Sequence, residues 1–345
     1  MRTLVLKKTE KVSGLIVYYI VFLTFVLSIL GNVALKRLLI RYKVVDRPTA
    51  RSSHTAPKPR GGGIAVISSI AIGSLLLGFC SITLPENIFI VGIFTLLVAF
   101  ISWIDDYRGL SPLVRLAFQF FCVFITLFNI DAISLVPTTQ IPNWIIICGL
   151  GLCWVWFVNL YNFMDGIDGI TGVQTICITL GIIVLSATGS LPTEMVAPAS
   201  IVSAATIAFL FFNWPPSQIF LGDVGSVSLG FLIGWMLLEL VGSGQWAAAI
   251  ILPGYYLCDA TFTLLRRLLS GEKVWSPHRE HFYQRAVQGH LTHSGVIVRL
   301  SIINLCLITL ATTLAQTYPF LAMVGALSII LVFLFHLSRY FKRRA

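Results

Sequence analysis

Apolar runs of about twenty residues alternate with short polar breaks along most of the chain. "LIVYYIVFLTFVLSILGNVAL" near the start and "LAMVGALSIILVFLFHL" near the end are two of them. Such runs approach or exceed the ~18 apolar residues that suggest a membrane-spanning helix. Cutting at the breaks gives about eleven spans, at 13–36, 62–80, 87–104, 113–130, 143–161, 169–188, 197–213, 226–242, 246–269, 295–316 and 319–338. The pattern predicts an all-α, polytopic integral membrane protein with about eleven transmembrane helices. Residues 1–345 form a single domain in this reading, because the spans leave no room for a separate soluble one. The first run is longer than a signal-peptide core and no small-residue cleavage pattern follows it, so it reads as a retained first span.

Composition agrees with the pattern. Of 345 residues, 57% are hydrophobic and 11% charged, against roughly a quarter charged in soluble domains. The seven cysteines include no C-x-x-C pair, so neither a zinc site nor a disulfide framework is suggested. Cys122, Cys148, Cys153, Cys177, Cys258 and Cys306 fall in apolar runs and read as small buried hydrophobes. A formal charge of +10 would suggest nucleic acid on a soluble protein; here its placement matters more, and no nucleic-acid partner is expected.

Of the 24 Lys and Arg, eight lie between Lys36 and Arg60, two are Arg108 and Arg115, six lie between Arg266 and Arg299, and four are in the C-terminal tail. All of these follow odd-numbered spans, and positive charge marks the cytoplasmic side. Arg2, Lys7, Lys8 and Lys11, before span 1, fall on the other side and oppose the assignment.

The unusual polar residues follow the same sidedness. "FISWIDDYRGLSPLVR" carries Asp105 and Asp106; "NLYNFMDGIDG" carries Asp165 and Asp168; "FNWPPSQIFLGDVGS" carries Asp223. "SPHREHFYQR" carries His278, Arg279, His281 and Arg285, and "DRPTARSSHTAPKPRGGG" carries His54, Lys58 and Arg60. Each cluster alone has a plain explanation: a solvated helix end, a tight glycine turn, an Asp cap, or lipid-headgroup anchoring. Together they put five acids of three separate breaks, ringed by Arg and His, on one face. Ionisable residues at membrane depth cost roughly 2.5–3.5 kcal/mol each and usually mark function. Carboxylate and amide oxygens suit magnesium, and Arg suits phosphate. Acids at helix ends rather than mid-span favour interfacial chemistry over a midplane transport site.

In this order, "DRP…H…GGG", "DDYRGLSP", "NFMDGIDG", "FLGDVGS" and a His-bearing penultimate loop resemble the polyprenyl-phosphate N-acetylhexosamine-1-phosphate transferases (glycosyltransferase family 4). That superfamily includes enzymes starting O-antigen, enterobacterial common antigen and teichoic acid synthesis, phospho-MurNAc-pentapeptide transferase, and the eukaryotic dolichol-linked GlcNAc-1-phosphate transferase. Many relatives carry a compact His-x-His-type cluster in the last cytoplasmic loop. This chain has "SPHREHFYQR" instead, which with "RSSHTAPKPRGGG" is similar to the O-antigen or capsule-initiating branch, some of whose members use 6-deoxy sugars such as FucNAc or QuiNAc.

The resemblance implies transfer of a sugar-1-phosphate from a UDP-sugar to undecaprenyl phosphate, with release of UMP, to start O-antigen or other surface polysaccharide synthesis. It implies Mg2+ (with Mn2+ as a substitute), the bacterial inner membrane, and an active site facing the cytoplasm. Carried over by position, Asp223 and Asn162 are the expected metal ligands, and Asp105 and Asp106 the acids that receive or deprotonate the lipid phosphate. Asp168 matches a uracil-recognition position, and Asp165 supports the metal or the loop. His278, Arg279 and His281 match the phosphate-binding loop and Arg115 the basic residue near the lipid phosphate. His54, Lys58 and Arg60 are substrate candidates from the first cytoplasmic loop, with surface anchoring as the alternative. Expected partners are undecaprenyl phosphate, a UDP-N-acetylhexosamine-type sugar and a second copy in a homodimer. The rival readings are a transporter or flippase for lipid-linked or nucleotide sugars and an inactive assembly scaffold. A CDP-alcohol phosphatidyltransferase is set aside because "MDGIDGITG" lacks that family's Ala-Arg and downstream acids.

Overall fold

A computed structural model describes residues 2–46, 57–130, 141–273 and 278–341, with side chains from residue 14 onward. The chain begins with α1 (Arg2–Arg41) and a short antiparallel pair, β1 (Val45–Asp46) and β2 (Lys58–Pro59). There follow α2 (Gly63–Phe79), α3 (Ile88–Arg108), α4 (Pro112–Asn129), α5 (Asn143–Phe163) and α6 (Ile170–Ala187). A 3-10 turn at Thr193–Met195 leads into α7 (Val196–Asn213), then α8 (Asp223–Gly242), α9 (Trp246–Ile251) and α10 (Gly254–Leu269). The last elements are α11 (Phe282–Gln288), α12 (His293–Thr313) and α13 (Pro319–Ser338).

Among the described residues, nine helical segments are long and apolar enough to cross a membrane, by length and composition. The 17-residue α2 is shorter but equally apolar. The ninth expected span is divided into α9 and α10 at Pro253, which has no N–H to continue a helical ladder. With these two, all eleven expected segments fall on helices.

Helix ends follow local chemistry. Ser111 caps α4, its hydroxyl accepting from Val114 N at 3.4 Å, with Pro112 at the first helical position. Thr292 caps α12 in the same way, accepting from Gly295 N at 3.0 Å. The end of α3 departs from expectation: the helix continues to Arg108 and stops at Gly109, which has φ 68°. Asp105 and Asp106 therefore lie in its last turn, still at a helix end as expected. At the start of α8, the Asp106 carboxylate accepts from the amides of Asp223 (3.0 Å) and Val224 (3.4 Å). That contact satisfies two orphan donors and begins the helix at Asp223, ahead of the expected 226.

Helix α8 is the axis of the bundle. In its most apolar window 89% of residues are buried, against 17% for α1 and 33% for α13. It packs against α2, α3 and α5. The approach to α5 uses Gly230 and Gly234, one helical turn apart. A Cβ on Gly230 would meet Tyr161 Cβ at 2.9 Å, and one on Gly234 would run into the Trp154 indole. Small residues at this spacing let helix backbones close on each other in a membrane. Trp154 then stacks on Phe231 at 4.7 Å and donates its indole N–H to the Phe231 carbonyl at 3.0 Å.

The lipid environment also corrects the cysteine expectation. Cys122 is buried, but Cys148, Cys153 and Cys306 are exposed on outward helix faces, and Cys177 and Cys258 are half-buried. Where the surrounding solvent is hydrocarbon, an apolar run does not distinguish core from periphery.

Candidate active site

The ends of α3, α5 and α7 and the starts of α4, α6, α8 and α12 meet in one polar region. The segment from β2 into α2 is stitched into it by backbone bonds. Phe220 N donates to Pro59 O (2.8 Å), Gly61 N and Gly62 N donate to Phe220 O (3.0 and 2.8 Å), and Gly63 N donates to Leu221 O (2.8 Å). This stitching carries Lys58 and Arg60 to the acids of two other loops.

Arg60 stands at the centre. Its Nη2 lies 2.6 Å from Asp223 Oδ1 and 2.9 Å from Asp106 Oδ1. Burial opposes its charge, yet Asp223 and Asp106 together hold the guanidinium above its already high ordinary pKa. Asn162, in the last turn of α5, donates to Asp223 Oδ1 at 3.1 Å and to Ser226 Oγ at 2.8 Å. Arg115 of α4 pairs with Asp105 Oδ2 at 2.9 Å and lies 3.9 Å from Asp223 Oδ2. Asp105 also accepts from Leu110 N at 2.7 Å, so it ties the α3–α4 turn to Arg115. Asp223 is thus the convergence point, touched from the β2–α2 segment, α4 and α5.

Asp168 is 5% exposed and saturated with donors. Ser217 gives its amide (3.0 Å) and hydroxyl (2.8 Å), while Lys58 and His293 Nδ1 stand 3.4 and 3.5 Å away. Burial alone would raise its pKa, but His293, both Ser217 donors and Lys58 override that and hold it well below the usual carboxylate range. Asp165, three residues earlier, goes the other way. Burial pushes it up to about 6, with Asp223 and Asp168 adding to the rise and Thr171 and Arg60 opposing it.

These groups border a cavity of about 310 Å³ whose wall includes Arg60, Asn162, Asp165, Asp168, Asp223 and His278. Arg279, Gln284 and His293 also face it. Burial, then the neighbouring His281 and Arg267, push His278 down to about 4, so its imidazole is neutral at pH 7. A second cavity of about 420 Å³ shares Asn162 and Asp223 with the first. Asp105 and Arg115 stand at its head, and Val98, Leu116, Phe120, Leu152 and Trp156 line its body. One polar cavity and one largely apolar groove therefore meet at Asp223 and Asn162.

The structure brings together all but two of the candidate residues. His54 lies outside the described residues. His281 is turned away: it is 1% exposed, with Nδ1 3.3 Å from Asp259 Oδ1. Lys58 and Arg60, which surface anchoring could have explained, are built into the site. Sequence reasoning missed Asp259, His293, Ser217 and Asn213, whose Oδ1 accepts from Gly169 N at 2.7 Å. Asp259 had a usable signal, a lone acid within the apolar stretch "LCDATFTLL". Ser217 and Asn213 had none, since their importance comes from a loop folding back on residues 168 and 169.

A carboxylate and an amide oxygen, from Asp223 and Asn162, are the donors a hard cation takes. Among the described residues, no group of three or more His, Cys, Asp or Glu is placed to hold a metal.

Known proteins are similar to the chain across the segments that build this site. The family model for glycosyl transferase family 4 matches residues 88–241, which contain the Asp105, Asn162 and Asp223 segments. A probable undecaprenyl-phosphate N-acetylglucosaminyl 1-phosphate transferase of Bacillus subtilis is 30% identical over 309 residues, covering 87% of this chain and 83% of the relative. A phospho-N-acetylmuramoyl-pentapeptide-transferase of Petrotoga mobilis is 31% identical over 241 residues, 62% of this chain and 70% of the relative. An undecaprenyl-phosphate alpha-N-acetylglucosaminyl 1-phosphate transferase of Yersinia pestis is 27% identical over 316 residues, 87% of this chain and 80% of the relative. With a relative so similar over most of both chains, this chain belongs to glycosyl transferase family 4.

Proposed function

We propose that the protein transfers an N-acetylhexosamine-1-phosphate, or a 6-deoxy relative, from a UDP-sugar to undecaprenyl phosphate, giving the lipid diphosphate sugar and UMP. The observation that carries the reading is the junction, at Asp223 and Asn162, of a polar cavity bearing Arg60 and Arg279 with an apolar groove. A sugar nucleotide fits the chemistry of the first, and a prenyl chain with a phosphate head fits the second. The names of the relatives, which describe transfer of a sugar 1-phosphate to a polyprenyl phosphate, support the same assignment.

In this reading a lipid phosphate oxygen bonds to the β-phosphorus while the bond from that phosphorus to the bridging oxygen breaks, and UMP leaves with the electron pair. The sugar–oxygen bond is untouched. Arg115, held by Asp105 at the mouth of the groove, receives the lipid phosphate. Arg60 lies across Asp106 and Asp223 and offsets charge that develops on the diphosphate. Asp168, held by Ser217 and Lys58, forms the nucleoside end of the cavity, and His278 and Arg279 line it as well. Mg2+ would be held by Asp223 and Asn162, and when bound it neutralises diphosphate oxygens and stabilises the leaving UMP. Phosphoryl transfer of this kind depends mainly on positioning and charge neutralisation. A phosphate monoester is already mostly dianionic near neutrality, so placement by Arg115 contributes more than a base would.

The positive-inside distribution of Lys and Arg supports a site facing the cytoplasm, where nucleotide sugars are made, and the bacterial relatives support the inner membrane of a bacterium as its location. The "SPHREHFYQR" loop supports initiation of O-antigen or another surface polysaccharide. A panel of UDP-N-acetylhexosamines, supplied with undecaprenyl phosphate and Mg2+, tests the proposal. It predicts UMP and a lipid diphosphate sugar from at least one donor. Release of UDP, or no product from any donor, contradicts it.

A further inference from the structure

Asp259 belongs to none of the groups assigned above. It lies in α10, 0% exposed, and five donors converge on it. Tyr255 donates its hydroxyl at 2.9 Å and Thr263 donates from the next turn at 3.3 Å. The other three come from the start of α11: Phe282 N at 2.9 Å, Tyr283 N at 3.4 Å, and His281 Nδ1 at 3.3 Å. The N-cap residue of α11, His281, makes no side-chain cap of its own, so a carboxylate from a different helix satisfies those amides. A buried carboxylate is tolerated only when saturated in this way.

What Asp259 holds is Tyr283. The Tyr283 ring is fully buried and stacks on His281, centroids 5.9 Å apart and planes at 15°. Its hydroxyl donates to the Phe163 carbonyl at 3.3 Å. Phe163 is the last residue of α5 and follows Asn162 directly. The same hydroxyl lies against Gly166 so closely that a Cβ there would collide with it and with the Gln284 amide. The turn between Asn162 and Asp168 is thus buttressed on its outer side by a phenol, and that phenol is set in place by Asp259.

We propose that Asp259 and Tyr283 form a positioning relay that fixes the Asn162–Asp168 turn at the wall of the cavity. Neither residue touches substrate in this account. Both act through the turn, so loss of either loosens the same residues. The functional consequence rests on the reading of the cavity as a nucleotide site; the mechanical one does not.

Full-length protein in detergent tests both. Tyr283→Phe removes only the hydroxyl. Asp259→Asn keeps the volume but replaces an acceptor oxygen with an N–H donor. Thr263→Val removes a donor to Asp259 that does not involve α11. Hydrogen exchange across residues 163–169 is expected to quicken about tenfold in Tyr283→Phe and in Asp259→Asn. Thr263→Val and the wild type keep the slow rate. UMP affinity, measured by calorimetry with Mn2+, falls by about tenfold in each of the two variants, and the double variant is no worse than the poorer single one. Exchange that is unchanged in Tyr283→Phe, or losses that multiply in the double variant, overturns the relay. If the wild type binds no UMP, the nucleotide reading fails while the exchange rates still decide the relay.

Discussion

Asp165 and Asp168 share one short turn, yet their proton affinities diverge. Asp168 meets four donors, whereas Asp165 is half-buried beside like charges. Pairs pushed apart in this way are what acid–base and ligand roles are built from. A carboxyl whose folded pKa rises from 3.8 to about 6 favours folding below 3.8 and loses that contribution as pH climbs through about 6. At pH 7.5 the Asp165 carboxylate then costs up to about 3 kcal/mol. Asp165→Asn is expected to raise the unfolding temperature at pH 7.5 without metal or nucleotide, with a gain that shrinks toward pH 5. Thermal scans in detergent at the two pH values check this. Asp223 stood out in the sequence as the single acid of a short break, whereas Asn162 entered only through the family resemblance. His281 was misjudged because its partner, Asp259, is 22 residues away on a buried helix face.

Helices were the most legible elements, since each apolar run became one, and α9–α10 divides where Pro253 dictates. Their packing was less so, because lipid-facing and core-facing residues are equally apolar. The glycines separate the two. Gly234 faces the Trp154 indole, whereas Gly149 of α5 has nothing within 4 Å of the place a Cβ would take. Gly234→Val is expected to destabilise by about 1–3 kcal/mol through overpacking. Gly149→Ala is expected to stabilise by up to about 1 kcal/mol, the helix-propensity gain. Denaturation of the two purified variants compares them directly. The groove between α3, α4, α5 and α8 has its own test. Leu152→Trp fills it from an exposed position, and should weaken use of undecaprenyl phosphate by about tenfold or more while leaving UMP affinity unchanged.

At the scale of the whole molecule, the arrangement is lopsided. The described acids of the candidate site, and both cavities that meet at Asp223, lie at one end of the bundle. That end was legible from five polar clusters falling on one side of eleven spans, although no single cluster required it. Which way this end faces is a matter of topology in the living membrane. In a cysteine-free background, Ser81→Cys lies beyond α2 at the far end and Lys273→Cys beyond α10 at the site end. A membrane-impermeant maleimide applied from the external face should label Ser81→Cys in intact cells, and Lys273→Cys only after the membrane is opened. The reverse pattern would place the site outside.

The central claim is that Asp223 sits where a nucleotide diphosphate and a lipid phosphate exchange a phosphoryl group. Following the β-phosphorus tests it most directly. Purified protein is given UDP-N-acetylhexosamine labelled with 32P at the β-phosphate, undecaprenyl phosphate and Mg2+, and the label is partitioned between water and organic solvent. The account predicts that the label moves into the lipid phase and that Asp223→Asn, folded as judged by its thermal transition, lowers the rate by about 100-fold or more. Label that stays in water as UDP while the sugar moves, or an Asp223→Asn variant as fast as the wild type, would contradict it.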